Sequence, residues 1–294
     1  MNTYKLRTED KGFKLIVSAS YALETQKGDP WYQLGEDGKM RHYAVCPACD
    51  NPIQLINIEG HARNTEKPYG KHVPASIPRL APYVQEAYDG CPLATKNHTR
   101  PQKSERKSGM NPLSVKIIET LRHEFDRVAV ILQEATGIKV TVGLAEKMFE
   151  NYLAERGYLY SRASLVNIPW IFAYMADAQS LVGRVIFDEE LRQAILANVP
   201  EATFDKQKLV KKGKAFLSVN MCFLDHEITP KGNAIVESMT LSVAKDTSRH
   251  PQAFFTKKIH FNYERFQYLI GIPEGKGIRN QQMLDLAAKM LADL

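Results

Sequence analysis

The chain is poor in the features that mark secreted, membrane-spanning or nucleotide-hydrolysing proteins. No apolar run approaches the roughly 20 residues needed to span a bilayer. The opening MNTYKLRTEDKGF holds no apolar signal core. No G-x-x-x-x-G-K-[ST] phosphate loop, G-x-G-x-x-G turn or G-x-S-x-G nucleophile elbow occurs. Internal repeats and low-complexity tracts are missing as well. Only four cysteines occur in 294 residues, too few for a disulfide scaffold. Together these absences point to a protein of the reducing cytoplasm with no membrane association, where paired cysteines serve metal or redox chemistry more often than structure.

The cysteines that are present are informative. Cys46-Pro-Ala-Cys49 follows the turn-rich GEDGK segment, and two thiolates two residues apart can converge on one metal ion. His42–Val45 and Ile53–Ile58 read as strands on either side of that turn, giving a hairpin that carries ligands at its tip. Two more ligands are needed for tetrahedral zinc. Twenty-two residues separate Cys49 from His72, and 18 separate His72 from Cys91. His72 follows a flexible glycine, and Cys91-Pro92 echoes Cys46-Pro47. His61 and His98 compete for the same two places. The expected ligand set is Cys46, Cys49, His72 and Cys91 around a structural Zn2+. Asp50-Asn51-Pro52 blocks the helix that a thioredoxin-type redox pair would require. Cys222, inside FLSVNMCFL reading back from Leu224, reads as a small buried hydrophobe.

The segment from Tyr43 to Cys91 resembles zinc ribbons in general. Zinc-ribbon proteins with basic bodies are often parts of nucleic-acid machinery, including mobile-element, phage and antiviral defence systems, and the resemblance implies such a setting here.

The rest of the pattern is α+β. Residues 1–94 form the zinc-binding module, with an irregular stretch at 60–82. Residues 95–111, TKNHTRPQKSERKSGMN, hold no apolar cluster and many turn formers, and read as a basic linker. Residues 112–294 form an α+β domain. Its helices occupy 112–198: Leu113, Ile117, Leu121, Phe125, Val128 and Leu132 recur at helical spacing, Val142–Arg156 forms a second helix, Pro169 opens a third, and Asp188–Asn198 makes a fourth with acids at its start. Three β-rich segments at 214–262 give an antiparallel meander. Terminal helices fill 263–294.

Net charge is +6 and the pI is near 9.0, which favours an anionic partner. Basic residues cluster at Lys96, Arg100, Lys103, Arg106 and Lys107, and again at Lys206, Lys208, Lys211, Lys212 and Lys214. A third group joins Lys257 and Lys258 to His260, Tyr263 and Arg265, with Phe254 and Phe255 as possible stacking rings. Phosphate neutralisation by such clusters gives affinity for DNA or RNA without reading sequence. The expectation is a zinc-containing, nucleic-acid-binding protein that acts as a non-catalytic subunit of a nucleoprotein complex. Two other readings stand beside it. One is a Mg2+-dependent nuclease using Asp225, Glu227 and Glu237 at strand ends. The other is a protein–protein adaptor in which zinc only staples the fold.

Overall fold

A computed structural model describes the chain apart from residues 36, 60–66, 95–101, 215, 232–233, 246–251 and 274. In chain order the elements are β1 (Thr3–Tyr4), β2 (Lys14–Leu15), α1 (Ser18–Thr25), β3 (Tyr32–Leu34), β4 (Met40–Val45), β5 (Pro52–Ile56), β6 (Tyr69–His72), α2 (Gln85–Asp89), α3 (Pro112–Thr136), α4 (Val142–Ala154), α5 (Ile168–Met175), β7 (Gln179–Ser180), α6 (Glu189–Asn198), β8 (Ala202–Asp205), β9 (Lys208–Lys211), β10 (Val219–Lys231), β11 (Ala234–Lys245), β12 (Ala253–His260), α7 (Tyr263–Ile270) and α8 (Gln281–Met290). The α+β class expected from the pattern is the observed one. No helix among the described residues is long and apolar enough to cross a membrane.

Two antiparallel sheets organise the molecule. The first has the order β3-β4-β5-β6 and belongs to the N-terminal part. Its last strand falls inside the 60–82 stretch expected to be irregular: Tyr69–His72 pairs with β5, Ile53 opposite His72. Propensity failed there because Gly70 and Lys71 are weak strand formers, and pairing with an existing edge supplies the hydrogen bonds instead. The second sheet has the order β12-β11-β10-β7 and contains the expected meander plus a two-residue edge strand.

The long helix α3 forms the spine of the body. Asn111 caps it by accepting from the Ser114 amide at 2.9 Å, Pro112 supplies a preset φ at its start, and Gly137 ends it in the left-handed region at φ +69°. Leu113, Ile117, Leu121, Phe125, Val128 and Leu132, the stripe read from spacing, are all buried. Phe125 packs on Phe149 of α4 and Phe172 of α5, with ring centroids 4.4 and 5.1 Å away. A Phe–Phe–Phe cluster of this kind adds about 0.5–1.5 kcal/mol per ring pair beyond burial. The third helix stops at Met175 rather than running on, because Ala176–Ser180 turns into the edge of the second sheet.

Apolar packing is continuous between the N-terminal part and the body: Cys46, Cys49 and Cys91 join the same buried cluster as α3 and the second sheet. The described part of the linker stretch is laid against the body. Lys107 donates its amide to Leu159 O at 2.7 Å, and its buried ammonium donates to Ala163 O at 2.9 Å. Burial lowers the Lys107 ammonium to about 8.

Candidate metal centre

The CxxC turn sits between β4 and β5. Asp50 adopts φ +59°, and the Asp50 amide returns to Cys46 O at 3.1 Å while the Cys46 amide donates to Asn51 O at 2.9 Å. This tight loop turns both sulfurs to one side. Strand β6 delivers His72 opposite Ile53, and the end of α2 delivers Cys91, whose amide donates to Tyr88 O at 3.0 Å.

The four side chains converge as the spacing anticipated. One ligand atom from each of Cys46, Cys49, His72 and Cys91 lies within 4.8 Å of the others. The Cys46 and Cys91 sulfurs are 3.7 Å apart. His72 Nε2 lies 3.4 Å from Cys49 Sγ and 3.7 Å from Cys91 Sγ. A tetrahedron with Zn–S near 2.3 Å and Zn–N near 2.0 Å has S···S edges of about 3.8 Å and S···N edges of about 3.5 Å. The observed separations match those edges. They also rule out a Cys46–Cys91 disulfide, whose sulfurs would stand about 2.05 Å apart. The rival ligands His61 and His98 lie outside the described residues.

Electrostatics favour a cation at this point. Burial pushes the Cys49 and Cys91 thiols well above their ordinary range, and hydrogen bonding with Cys46 raises both further. Burial opposes ionisation of Cys46 too, but hydrogen bonds from Cys49 and Cys91 and the nearby His72 bring its thiol well down. A metal ion bound at this point would replace the thiol protons, because zinc is held by thiolates. The three cysteines are buried and His72 is half-buried, and four protein ligands is the number found in structural zinc sites.

The surroundings fix the ligands. Asn51 donates to Val84 O at 3.0 Å and accepts from the Val84 amide at 2.6 Å, with its Nδ2 also 3.5 Å from Cys49 Sγ. It ties the knuckle to the segment leading into α2. Tyr88 packs edge-on against His72 at 5.1 Å. Asp50, next to Cys49, is gripped by Lys5 at 2.5 Å and by Lys116 of α3, and Ala48 O accepts from the Leu165 amide at 3.1 Å. The knuckle is thus fastened to the body on two sides.

The other residues singled out in the sequence are dispersed. Asp225, Glu227 and Glu237 do not form a cluster. Asp225 is exposed at a β-bulge with φ +51°, Glu227 pairs with Lys258 at 2.8 Å, and the Glu237 side chain is fully buried. The bulge turns His226 inward, onto the face already occupied by Glu237 and Met239. There the Glu237 carboxylate accepts from His226 Nε2 at 2.5 Å and Asn167 Nδ2 at 2.9 Å, and from the Tyr263 hydroxyl. Tyr160 donates to His226 Nδ1 at 2.9 Å. Sequence reading did not anticipate this network, because the bulge that assembles it leaves no periodic signal.

Of the first basic cluster, Lys96 and Arg100 lie outside the described residues. Lys103 donates to Ala176 O at 3.3 Å, Arg106 pairs with Glu155 at 2.9 Å, and Lys107 is buried. In the third group Lys257 and Lys258 bind Asp188 and Glu227, and Arg265 binds Glu134. The second cluster differs. Lys206, Lys208, Lys211, Lys212 and Lys214 are all exposed, and none is in an ion pair among the described residues. They belong to a hairpin, β8–β9, that the sequence reading missed.

No known protein family, curated protein or solved structure matches this chain.

Proposed function

We propose that this chain is a zinc protein in which one structural Zn2+, held by Cys46, Cys49, His72 and Cys91, fixes the N-terminal part on the body, and in which the β8–β9 hairpin binds nucleic acid. The reading places the protein as a non-catalytic subunit of a nucleoprotein complex. The zinc half rests on the tetrahedral edge lengths among four ligand atoms, three of them sulfur, a donor set that suits zinc. The nucleic-acid half rests on five exposed lysines within nine residues that have no acidic partner among the described residues. Other exposed cations that carry no ion pair among the described residues, such as Lys27, Lys71 and Lys147, are not grouped in this way along the chain. Unmatched positive charge concentrated on one surface element is what phosphate contact requires.

Each half has its own test. Metal analysis of the purified protein should give one zinc per chain, retained in Cys222→Ser and lost in Cys46→Ser. Zinc-free wild type with full secondary structure and unchanged melting would sink the structural-zinc reading. Fluorescence anisotropy across a salt series tests the hairpin. If all five lysines neutralise phosphates, the slope of log K against log salt should be about −3.5 to −4.5. Replacing Lys206, Lys208 and Lys211 by Glu should remove most of that slope. Binding that is absent at low salt, or indifferent to these changes, overturns the nucleic-acid reading.

A further inference from the structure

The hairpin carries more than charge. Antiparallel bridges join Ile138 to Ile186 and Val185 to Lys208, and the Lys139 amide donates to Val185 O at 2.9 Å. Lys139, Val185 and Lys208 therefore form one cross-strand row. Two strand spacings of about 4.8 Å separate the exposed Lys139 from Lys208. Lys206 sits in the turn beside them with φ +57°. At the other end of the hairpin, Lys211, Lys212 and Lys214 follow one another out of β9. About 10 Å of strand separates Lys208 from Lys211. The hairpin thus carries cations at both of its ends, with Lys208 and Lys211 leaving the strand on opposite faces.

Each end also exposes a phenyl ring. Phe216, two residues past Lys214, is 84% exposed, and Phe187 is 43% exposed. Phe187 directly follows Ile186, whose amide donates to Gln207 O in the hairpin turn at 2.9 Å, so its ring flanks the Lys206–Lys208 end. Few acids offset these lysines. Asp188 is taken by Lys257, Glu189 by Arg192 and Glu201, beside Lys212, by Lys245, which leaves Asp205 opposite Lys208 and Glu190 on the following helix.

In duplex DNA or RNA the base faces are covered by stacking and only base edges and phosphates are reachable, so an exposed phenyl ring flanked by lysines finds no free base face there. A single strand offers both of the things the hairpin complements: phosphates for the ammonium groups and free base faces for the rings. Extending the nucleic-acid reading above, we infer that the hairpin lysines Lys206, Lys208, Lys211, Lys212 and Lys214, with Lys139 beside them, take single-stranded nucleic acid, with bases stacked on Phe216 and Phe187.

The test compares the full-length zinc-loaded protein, its Phe216→Ala and Phe187→Ala variants, and Phe216→Trp. Ligands are a mixed-sequence single strand, the duplex of the same sequence, and vesicles containing phosphatidylserine, all at one salt concentration. Because Phe216 is almost fully exposed, its replacement leaves the fold intact, and melting curves verify this. The wild type should prefer the single strand at least tenfold. Phe216→Ala should weaken that complex about five- to a hundredfold while leaving duplex binding unchanged, and the Phe216→Trp emission should be quenched by the single strand alone. Equal affinity for single strand and duplex, with no effect of Phe216→Ala, overturns the inference and leaves the phosphate-contact reading standing. Binding to vesicles but not to either nucleic acid overturns both.

Discussion

Replacing Glu237 and His226 together should destabilise this protein by less than the sum of the two single replacements. The carboxylate sits on the inward face of β11 and collects three donors: His226 Nε2 at 2.5 Å, Asn167 Nδ2 at 2.9 Å and the Tyr263 hydroxyl. Neither the His226 nor the Glu237 side chain has any solvent contact. Leucine fills a similar volume but accepts nothing. Asn167 keeps its bond to Arg162 O at 2.9 Å, and the partly exposed Tyr263 can turn toward water, so the main loss falls on the His226 N–H. Leaving that buried N–H without an acceptor costs about 1–3 kcal/mol. For a chain of this size that lowers Tm by roughly 2–10 °C. In His226→Phe/Glu237→Leu the new ring keeps the stack on Phe261, now 5.6 Å away at 11°. Only the Tyr160 hydroxyl then loses a partner outright, at about 1–3 kcal/mol. Urea denaturation of the wild type, both single variants and the double variant closes the cycle. A Glu237→Leu loss below about 1 kcal/mol, or a double-variant loss equal to the sum of the singles, would refute the reasoning.

Other outcomes follow from the same structure. Asn51→Ala removes the bridge between Cys49 and Val84, and should weaken zinc binding about 10- to 100-fold in a chelator competition while keeping one site per chain. Gly90→Ala should lower Tm, because a Cβ there would collide with the Ser161 carbonyl oxygen; an unchanged Tm would show that the contact yields. Lys107 gives a pH signature. Its folded-state value of about 8 lies below the ordinary 10.5. Below pH 8 it is charged in both the folded and the unfolded chain, and the burial cost is fully present. Between pH 8 and 10.5 the unfolded chain binds the extra proton, so this residue's contribution becomes more favourable as pH rises, by about 3 kcal/mol at 1.36 kcal/mol per pH unit. The stability advantage of Lys107→Met over wild type should shrink across that interval in urea melts at stepped pH. An advantage that stays constant would refute the assignment.

Much of this molecule could be read from local chemistry. The CxxC turn, its flanking strands and the choice of His72 and Cys91 followed from ligand type and backbone flexibility. The α3 stripe followed from 3.6-residue periodicity, with Asn111, Pro112 and Gly137 marking its ends. The three strands of the meander followed from β-branched and aromatic content. Such features are set by residues within one turn or one strand of each other, so sequence is sufficient for them.

What tertiary structure alone decided has a different physical origin. β6 is a strand because an open edge of β5 was there to receive it, not because YGKH favours extension. Lysines that look alike in the sequence meet different fates. Lys107 is drawn into the body by a carbonyl 56 residues away, Lys257 and Lys258 find carboxylates on other elements, and the lysines of 206–214 are left without an acidic partner among the described residues. His226 meets Glu237 only because one extra residue at Asp225 reverses the facing of the strand beyond it. Charge, composition and periodicity determine what each segment can be; which ionic groups are neutralised, which are buried and which remain free for a partner depends on contacts between residues far apart in the chain, and those exist only once the core has closed.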